Sequence, residues 1–256
     1  MPHPLLSPDD PPPFTTKGAV GRRPLLLLCD HASNAVPRSL DGLGLPATEL
    51  GRHIGWDIGA LDIARRLSDR LDAPLVASGY SRLVIDCNRW PGGEGSTPEV
   101  SDGTRVPGNA ALAPADVEAR AAACFRPYHD EVERRIADFA AAGVKPALFV
   151  VHTFTPVMNG AQRPWHLGVL WREDPRLAVP LLRELRRLPD TFTGDNEPYS
   201  ARDPYEYTLT AHADGHGLPH CSIEVRQDLV ATRADAERWA ERIAPALAAA
   251  VDEAVG

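Results

Sequence analysis

Two short apolar runs constrain the fold more than any other feature of this sequence. They extend from Pro24 to Cys29 and from Ala147 to Val151, and neither contains a charged side chain. A run of this length without polar alternation is typical of a strand buried on both faces, which occurs where helices cover both sides of a sheet. We therefore expect a central sheet with parallel strands and a layer of helices on each face.

Helical and strand-like segments alternate along the rest of the chain. Ile58 to Leu71 has apolar residues at spacings of three and four, with charged residues between them, which predicts an amphipathic helix. Another helix is expected from Pro175 to Leu188, and a last one begins after the capping pattern Thr232-x-x-Asp235. Further strands are expected at Ala73 to Ser78, Leu83 to Cys87, Leu167 to Trp171 and His220 to Val225. This alternation predicts a three-layer α/β/α sandwich with a mixed central sheet.

Other segments are less regular. A long helix is expected from Pro114 to Ala142 with a kink at Pro127, and a helical stretch from Pro204 to His216. Pro91 to Asn109 and Thr193 to Arg202 have the composition of loops. Residues 1–20, rich in proline, are expected to form a flexible N-terminal arm, and residues 21–256 a single domain.

Composition excludes several classes of function. The net charge of −8 argues against a surface for nucleic acid, which requires clustered Lys and Arg. No apolar stretch approaches the roughly 20 residues of a membrane span, and the proline-rich start lacks a signal-peptide core, so we expect a cytoplasmic protein. The four cysteines show no paired spacing and are expected to be buried thiols rather than disulfides. Gly92 to Gly95 lacks the GK[ST] ending of a phosphate-binding loop. The sequence does not predict an oligomeric state.

Polar residues cluster where the predicted strands end. Two histidines and one carboxylate from separate strands suit a catalytic zinc site with an open fourth position, and a further glutamate could take a proton from water there. Arginines nearby would bind a substrate carboxylate through paired hydrogen bonds. The strand-end residues are Asp30, His31, Asn34, Asp86, Asn88, Arg89, His152, Glu224 and Arg226.

Each of these residues also has a purely structural interpretation. A single histidine at the end of a strand is more often a satisfied core residue than a metal ligand. Arg82 and Arg89 could be ion-paired with Asp86 or another local carboxylate instead of facing a substrate. Arg226 lies two residues after Glu224 on a predicted strand, so both side chains are expected on one face, where Arg226 could bind substrate or orient the glutamate.

Several ordered motifs resemble the N-formylglutamate amidohydrolase family over about residues 24 to 250. They are Asp30-His31-Ala-Ser-Asn34, His53-Ile-Gly-Trp-Asp57, Ser81-Arg82 to Asn88-Arg89, Ser101-Asp-Gly-Thr, His152-Thr-Phe-Thr-Pro156, Arg163-Pro-Trp-His166, Asp195-Asn-Glu-Pro-Tyr199 and Ile223-Glu to Leu229. The resemblance implies a phosphorylase/hydrolase-like α/β fold related to zinc carboxypeptidases and aspartoacylase-type deacylases. It also implies metal-dependent hydrolysis of an N-acyl bond on an acidic amino acid.

The resemblance also implies roles for individual residues. His31 and His152 correspond to zinc-binding histidines, and Glu224 to the general base. The middle ligand is open, because the position expected to hold a glutamate after His31 is Asn34, whose amide is a poor zinc ligand. Asp57 is the first choice and His53 the second, with an indirect role for either also possible. Arg82, Asn88, Arg89, Arg226 and Asn34 are the predicted substrate-binding residues, and Asn196, Tyr199 and His212 are lesser candidates.

The sequence thus predicts a zinc-dependent enzyme that cleaves the N-formyl or another N-acyl group from an acidic amino acid such as N-formylglutamate. In this mechanism Glu224 takes a proton from water and passes it to the departing amine. The alternatives are a hydrolase for a different N-acyl amino acid and a non-catalytic binding protein with the same fold. A serine hydrolase is disfavoured, since the chain has no Gly-x-Ser-x-Gly motif.

Overall fold

A computed structural model describes residues 5–21, 23–201 and 206–256, and its centre is a mixed sheet of seven strands in the order β1-β3-β2-β6-β11-β9-β10. The strands β3, β2, β6 and β11 run parallel to their neighbours, while β1 and β9 pair antiparallel with β3 and β11. β10 is parallel to β9 at the far edge. The strands of the described residues are β1 Phe14–Lys17, β2 Leu25–Cys29, β3 Leu75–Ser78, β4 Val100–Ser101, β5 Thr104–Arg105, β6 Ala147–Phe154, β7 Val157–Met158, β8 Ala161–Gln162, β9 Leu167–Leu170, β10 Thr193–Asp195 and β11 His220–Arg226.

Helices cover both faces of this sheet, which confirms the predicted α/β/α sandwich. The α-helices are α1 Ala47–Leu50, α2 Ala60–Leu71, α3 Pro114–Arg120, α4 Arg126–Ala141, α5 Pro175–Leu185 and α6 Arg233–Val255. One core cluster lies between the sheet and α2, α5 and α6, and the other lies under α4. Outside the sheet, β4 pairs with β5 and β7 with β8 in two short hairpins.

The central strands are apolar because both of their faces are covered. On β2, Leu25 and Leu27 belong to the cluster under α2, α5 and α6, whereas Leu26 and Leu28 belong to the cluster under α4. Each of these four side chains is fully buried. Alternate side chains of a strand point to opposite faces, so no position on β2 is left for a polar residue until the strand ends.

The helix predictions hold in part. α2 and α6 occur where the patterns place them, and the Thr232 side chain caps α6 by accepting a hydrogen bond from the backbone N–H of Asp235 at 3.2 Å. The single helix expected from Pro114 to Ala142 is instead α3 and α4 joined by a π-helical turn, Ala121–Phe125. Pro127 lies just after this π-helical turn, where its ring and its missing N–H interrupt regular α-helical hydrogen bonding.

Two secondary-structure predictions are wrong, one of a strand and one of a loop. Leu83 to Cys87 forms turns rather than a strand, because its apolar residues pack in a third core cluster while its backbone bonds to loop groups, such as Asn109 Nδ2 to the Leu83 carbonyl at 2.9 Å. Thr193–Asp195, expected in a loop, is the edge strand β10. Of the helix expected from Pro204 to His216, Leu209–Asp214 is π-helical, and residues 204 and 205 lie outside the described residues.

The N-terminal segment differs from the expected flexible arm. Phe14–Lys17 pairs with β3, the Gly79 N–H donates to the Pro13 carbonyl at 2.8 Å, and the Tyr80 hydroxyl donates to the Pro11 carbonyl. The physical reason is that β3 would otherwise end the sheet with unpaired backbone groups, which β1 covers. Residues 1–4 of the predicted arm lie outside the described residues.

Candidate metal centre and active site

The carboxyl ends of three central strands bring the main functional side chains together. His31 follows β2, His152 lies near the end of β6, and Glu224 lies near the end of β11. β6 and β11 are parallel neighbours in which His152 and Glu224 are direct register partners, so their side chains are on the same face. Asp57 reaches this edge from the turn before α2, where its backbone N–H donates to the His31 carbonyl at 3.0 Å.

His31, Asp57 and His152 form a compact group suited to a metal ion. One possible ligand atom from each lies within 4.8 Å of the other two, and all three residues are buried. Oδ2 of Asp57 is 2.9 Å from Nδ1 of His152 and 3.3 Å from Nδ1 of His31. Two imidazole nitrogens and one carboxylate oxygen match the donor types and number of a catalytic zinc site. The residues present therefore fit a zinc ion.

His53, the alternative middle ligand, is not in this group. Its Nε2 lies 3.3 Å from Oδ2 of Asp102, in the turn of the β4–β5 hairpin, and Arg52 holds the same carboxylate oxygen at 2.8 Å. Burial lowers the pKa of His53, although Asp102 partly opposes this effect. His53 thus lines the cavity wall rather than the metal group.

Two carboxylates lie behind the histidine rings, and that of Asp86 is hydrogen-bonded to His31. Nε2 of His31 lies 2.8 Å from Oδ1 of Asp86, and Nε2 of His152 lies 3.5 Å from Oδ2 of Asp30. Asp30 is itself held by the hydroxyl of Tyr128 at 2.7 Å. With Nε2 turned toward a carboxylate, the Nδ1 atoms of both rings face Asp57, which is the arrangement that fixes histidine ligands around a metal. The sequence marked Asp30 and Asp86 as strand-end residues but did not assign them this contact.

The charged groups of the site shift one another's pKa values. Burial alone would raise the pKa of Asp86, but Arg82 and His31 outweigh burial and hold that pKa far below its ordinary value. Burial opposes the ionisation of Asp57 in the same way, and His31 and His152 lower its pKa. Arg82 connects the two carboxylates, donating to Asp86 at 2.8 Å and to Asp57 at 3.4 Å. These carboxylates remain ionised and available to cations at neutral pH.

The pKa of Glu224 is shifted in the opposite direction, upward. Burial raises its pKa to about 7, opposed by His152 and reinforced by Asp57. The side chain is 7% exposed, and its Oε2 atom is buried without a hydrogen-bond partner among the described residues. A carboxyl group that exchanges a proton near neutral pH suits general acid–base chemistry.

These groups line one cavity of about 700 Å³, which also places the predicted substrate-binding residues. Arg82, Asn88 and Arg89 line it, but Asn34 and Arg226 do not. The Arg226 guanidinium instead pairs with Asp228 at 2.7 Å and donates to the carbonyls of Arg163 and Pro164. Arg226 therefore does not line the cavity beside Glu224 in this structure, and its contact with substrate stays a prediction.

Of the lesser candidates only Tyr199 lines the cavity, which also contains Glu206, a residue that was not predicted. Tyr199, a lesser candidate, is there, and its hydroxyl accepts a hydrogen bond from Arg163 at 2.8 Å. His212 lies elsewhere, bonded to His129 at 2.8 Å. Asn196 uses its Oδ1 to accept from the Trp171 N–H at 3.0 Å. Glu206 lines the cavity although no spacing or motif in the sequence distinguished it.

Comparisons with known proteins show the family of the chain. Residues 23–231 match the family described as N-formylglutamate amidohydrolase. A gene product of Agrobacterium tumefaciens has a crystal structure with a TM-score of 0.93 and 35% sequence identity, covering 97% of this chain and 98% of that one. No functionally curated protein is significantly similar to the chain.

More distant solved structures share the architecture. N-formylglutamate amidohydrolase from Ralstonia eutropha has a TM-score of 0.67 at 20% identity, covering 94% of this chain and 97% of that one. No helix in the described part of the chain is long and apolar enough to cross a membrane. The match over residues 23–231, together with the relative that is 35% identical over nearly the whole length, shows that the chain belongs to the N-formylglutamate amidohydrolase family.

Proposed function

We propose that this protein is a metal-dependent amidohydrolase that removes the formyl group, or another acyl group, from the nitrogen of an amino acid. The observation that carries the proposal is the buried group of His31, Asp57 and His152, which shares one cavity with Glu224. The family makes N-formylglutamate the first substrate to test.

The metal would be held by Nδ1 of both histidines and by the Asp57 carboxylate. Bound there, a zinc ion would supply a Lewis acid that acidifies water and polarises a carbonyl group. Asp86 is hydrogen-bonded to Nε2 of His31, and Asp30 faces Nε2 of His152 at 3.5 Å, so both rings present Nδ1 toward Asp57.

Glu224 supplies the acid–base chemistry. Its carboxylate takes a proton from the attacking water and then delivers that proton to the amine nitrogen as the C–N bond breaks. Burial of Glu224 favours its protonated form, which suits delivery of the proton to the departing amine. Glu224 lines the cavity, and its Oε2 has no protein donor among the described residues, so the carboxylate can bond to water or substrate there.

Arg82 and Arg89 are the cationic groups of the cavity wall, and we assign them to the substrate carboxylate. Arg82 keeps its contacts with Asp57 and Asp86, so it also ties the position of a bound substrate to the metal group. A guanidinium can serve two carboxylates because it has five N–H donors. Arg226 has no part in this assignment.

The test is metal analysis of the purified protein combined with hydrolysis of N-formylglutamate and a panel of N-formyl and N-acyl amino acids. We expect bound zinc, activity that is lost after chelation, and recovery when zinc is restored. Activity that survives exhaustive metal removal would contradict the proposal.

A matched pair of variants separates an enzyme from a binding protein. Glu224→Gln removes the acid–base group but keeps the side-chain shape, and it should lower kcat by about 10²-fold or more. Glu173→Gln removes the same charge from an exposed position and serves as the control. Full activity of Glu224→Gln would exclude the proposed mechanism, and binding without turnover in the wild type would favour the non-catalytic alternative.

A further inference from the structure

Glu206 is a carboxylate residue of the cavity that the mechanism above does not use. It lines the same cavity as Glu224 and also borders a small cleft beside His220. Its Oε1 atom accepts hydrogen bonds from Ser222 Oγ at 3.3 Å and from Asn88 Nδ2 at 3.5 Å. The carboxylate is therefore held in a fixed orientation by two different elements.

The orientation of Asn88 explains why its amino group points at Glu206. The Oδ1 atom of Asn88 accepts hydrogen bonds from the backbone N–H groups of Tyr207 at 3.2 Å and Thr208 at 2.9 Å. The Nδ2 atom must then face the other way, toward Glu206. Asn88 lines the cavity and also holds the segment that carries Glu206, so its contact with substrate stays a prediction.

The second oxygen of Glu206 remains available to a ligand. Both recorded hydrogen bonds go to Oε1, and within the described part of the chain no donor bonds to Oε2. The Glu206 side chain is half-buried and lines the cavity. An accessible carboxylate oxygen in a cavity accepts a hydrogen bond or attracts a cation, and it repels another carboxylate.

The location of Glu206 suits contact with the far end of a substrate side chain. Ser222 and Glu224 lie two residues apart on the same face of β11, a separation of about 7 Å along the strand. Glu206 bonds to Ser222, whereas the scissile bond must lie beside Glu224. An amino-acid side chain with two or three methylene groups spans a distance of this order.

The charge of the cavity points the same way. Its described lining includes six carboxylate residues, two arginines and three histidines, with the carboxylates being Asp57, Asp86, Glu94, Asp102, Glu206 and Glu224. Arg82 already contacts two of these carboxylates. Asp57 and Asp86 are also paired with His31 and His152, so the like charge that a second substrate carboxylate would meet at this end of the cavity is that of Glu206 itself.

We infer that Glu206 is a specificity-determining residue that accepts a hydrogen bond from the end of the substrate side chain, and that the preferred substrate carries a donor there, such as a carboxamide, rather than a carboxylate. This inference rests on the proposed hydrolysis of an N-acyl amino acid and narrows it to side chains that donate hydrogen bonds. It departs from the acidic side chain expected from the family resemblance.

N-formylglutamine and N-formylglutamate test the inference because they differ almost only in the terminal group. For the zinc-loaded wild type we expect kcat/KM for N-formylglutamine to exceed that for N-formylglutamate by at least ~10-fold, since an unmatched buried polar group is strongly rejected. Glu206→Gln should reduce this ratio by about 10-fold or more, because the glutamine amide can donate to a carboxylate. Glu206→Ala should also reduce the ratio, which guards against an effect peculiar to glutamine.

Glu94→Gln is the matched control, since it removes one charge from an exposed residue that lines the same cavity. It should change the ratio by less than roughly 3-fold if contact rather than overall charge decides selectivity. A wild type that prefers N-formylglutamate, or a ratio that responds equally to Glu94→Gln and Glu206→Gln, would overturn the inference.

Calorimetric titration with the same two compounds separates this inference from the proposed function. If neither compound is hydrolysed but N-formylglutamine binds more tightly and Glu206→Gln removes the difference, the selectivity stands and the proposed hydrolysis fails. If both compounds are hydrolysed with a ratio that does not depend on Glu206, the hydrolysis stands and the selectivity fails. If neither compound binds, the inferred side-chain preference is refuted.

Discussion

Replacing Glu224 with glutamine should stabilise the metal-free protein at alkaline pH. In the folded chain the buried Glu224 carboxyl has a pKa of about 7, compared with an ordinary value of 4.5. This difference corresponds to roughly 3 kcal/mol of unfavourable free energy for an ionised Glu224 in the folded state. Glutamine has a similar shape and no charge, so Glu224→Gln should raise the free energy of unfolding by about 1–3 kcal/mol. The lower figure applies if water can enter around the ionised wild-type carboxylate.

The pH dependence fixes the sign of this prediction. Glu224 is a group whose folded pKa is raised, so its contribution is most favourable below the unfolded value of 4.5 and is lost as pH rises through about 7. The difference in unfolding free energy between Glu224→Gln and the wild type should therefore be small near about pH 4 and largest above about pH 8.

The assay is denaturant unfolding in the presence of a chelator at several pH values between these limits. Glu173→Gln removes the same charge from an exposed glutamate and should show no comparable gain in unfolding free energy. Equal gains for both variants, or a gain for Glu224→Gln that does not grow with pH, would refute the argument from burial. Activity of Glu224→Gln should fall although its stability rises, as expected where a functional group is held in an unfavourable environment.

Three further predictions concern the metal group and the core. His152→Ala should lower bound zinc by at least about 10-fold in elemental analysis, while His216→Ala, at an exposed position, should not. Asp86→Asn should weaken zinc affinity by about 10- to 100-fold in chelator competition, because His31 loses a charged partner at 2.8 Å. Unchanged affinity would show that Asp86 does not support zinc binding. Leu67→Ala should lower the free energy of unfolding by about 2–5 kcal/mol, since this fully buried side chain lies between α2 and the sheet. A loss below about 1 kcal/mol would mean that the α2 contact is poorly packed.

The family, the sandwich architecture and the main candidate residues could be predicted from the sequence. The apolar composition of β2 and β6 predicts that both faces of the sheet are buried. The periodic spacing of apolar residues in α2 and α6 predicts which side of each helix is buried. His31 and His152 stand out because each follows or ends such a run. These signals are local, so they need no knowledge of what lies across the sheet.

Other features depend on contacts between distant segments. β10 exists because β9 offers it an edge, not because its own three residues favour a strand. The apolar residues from Leu83 to Ile85 are buried in a loop rather than a sheet, and hydrophobic pattern alone does not separate these two kinds of burial.

The site itself divides in the same way. The sequence determined which residue types reach the strand ends, and that two histidines, a glutamate and two arginines are available there. Only the tertiary structure decided that Asp57 lies between the two histidines while His53 pairs with Asp102, and that Arg226 turns to Asp228. It also brought Glu206 into the cavity through bonds to Asn88 and Ser222, which are far from it along the chain. The physical reason is that a side chain's partner depends on distances between segments, whereas a sequence pattern records only the burial and spacing of residues along one segment.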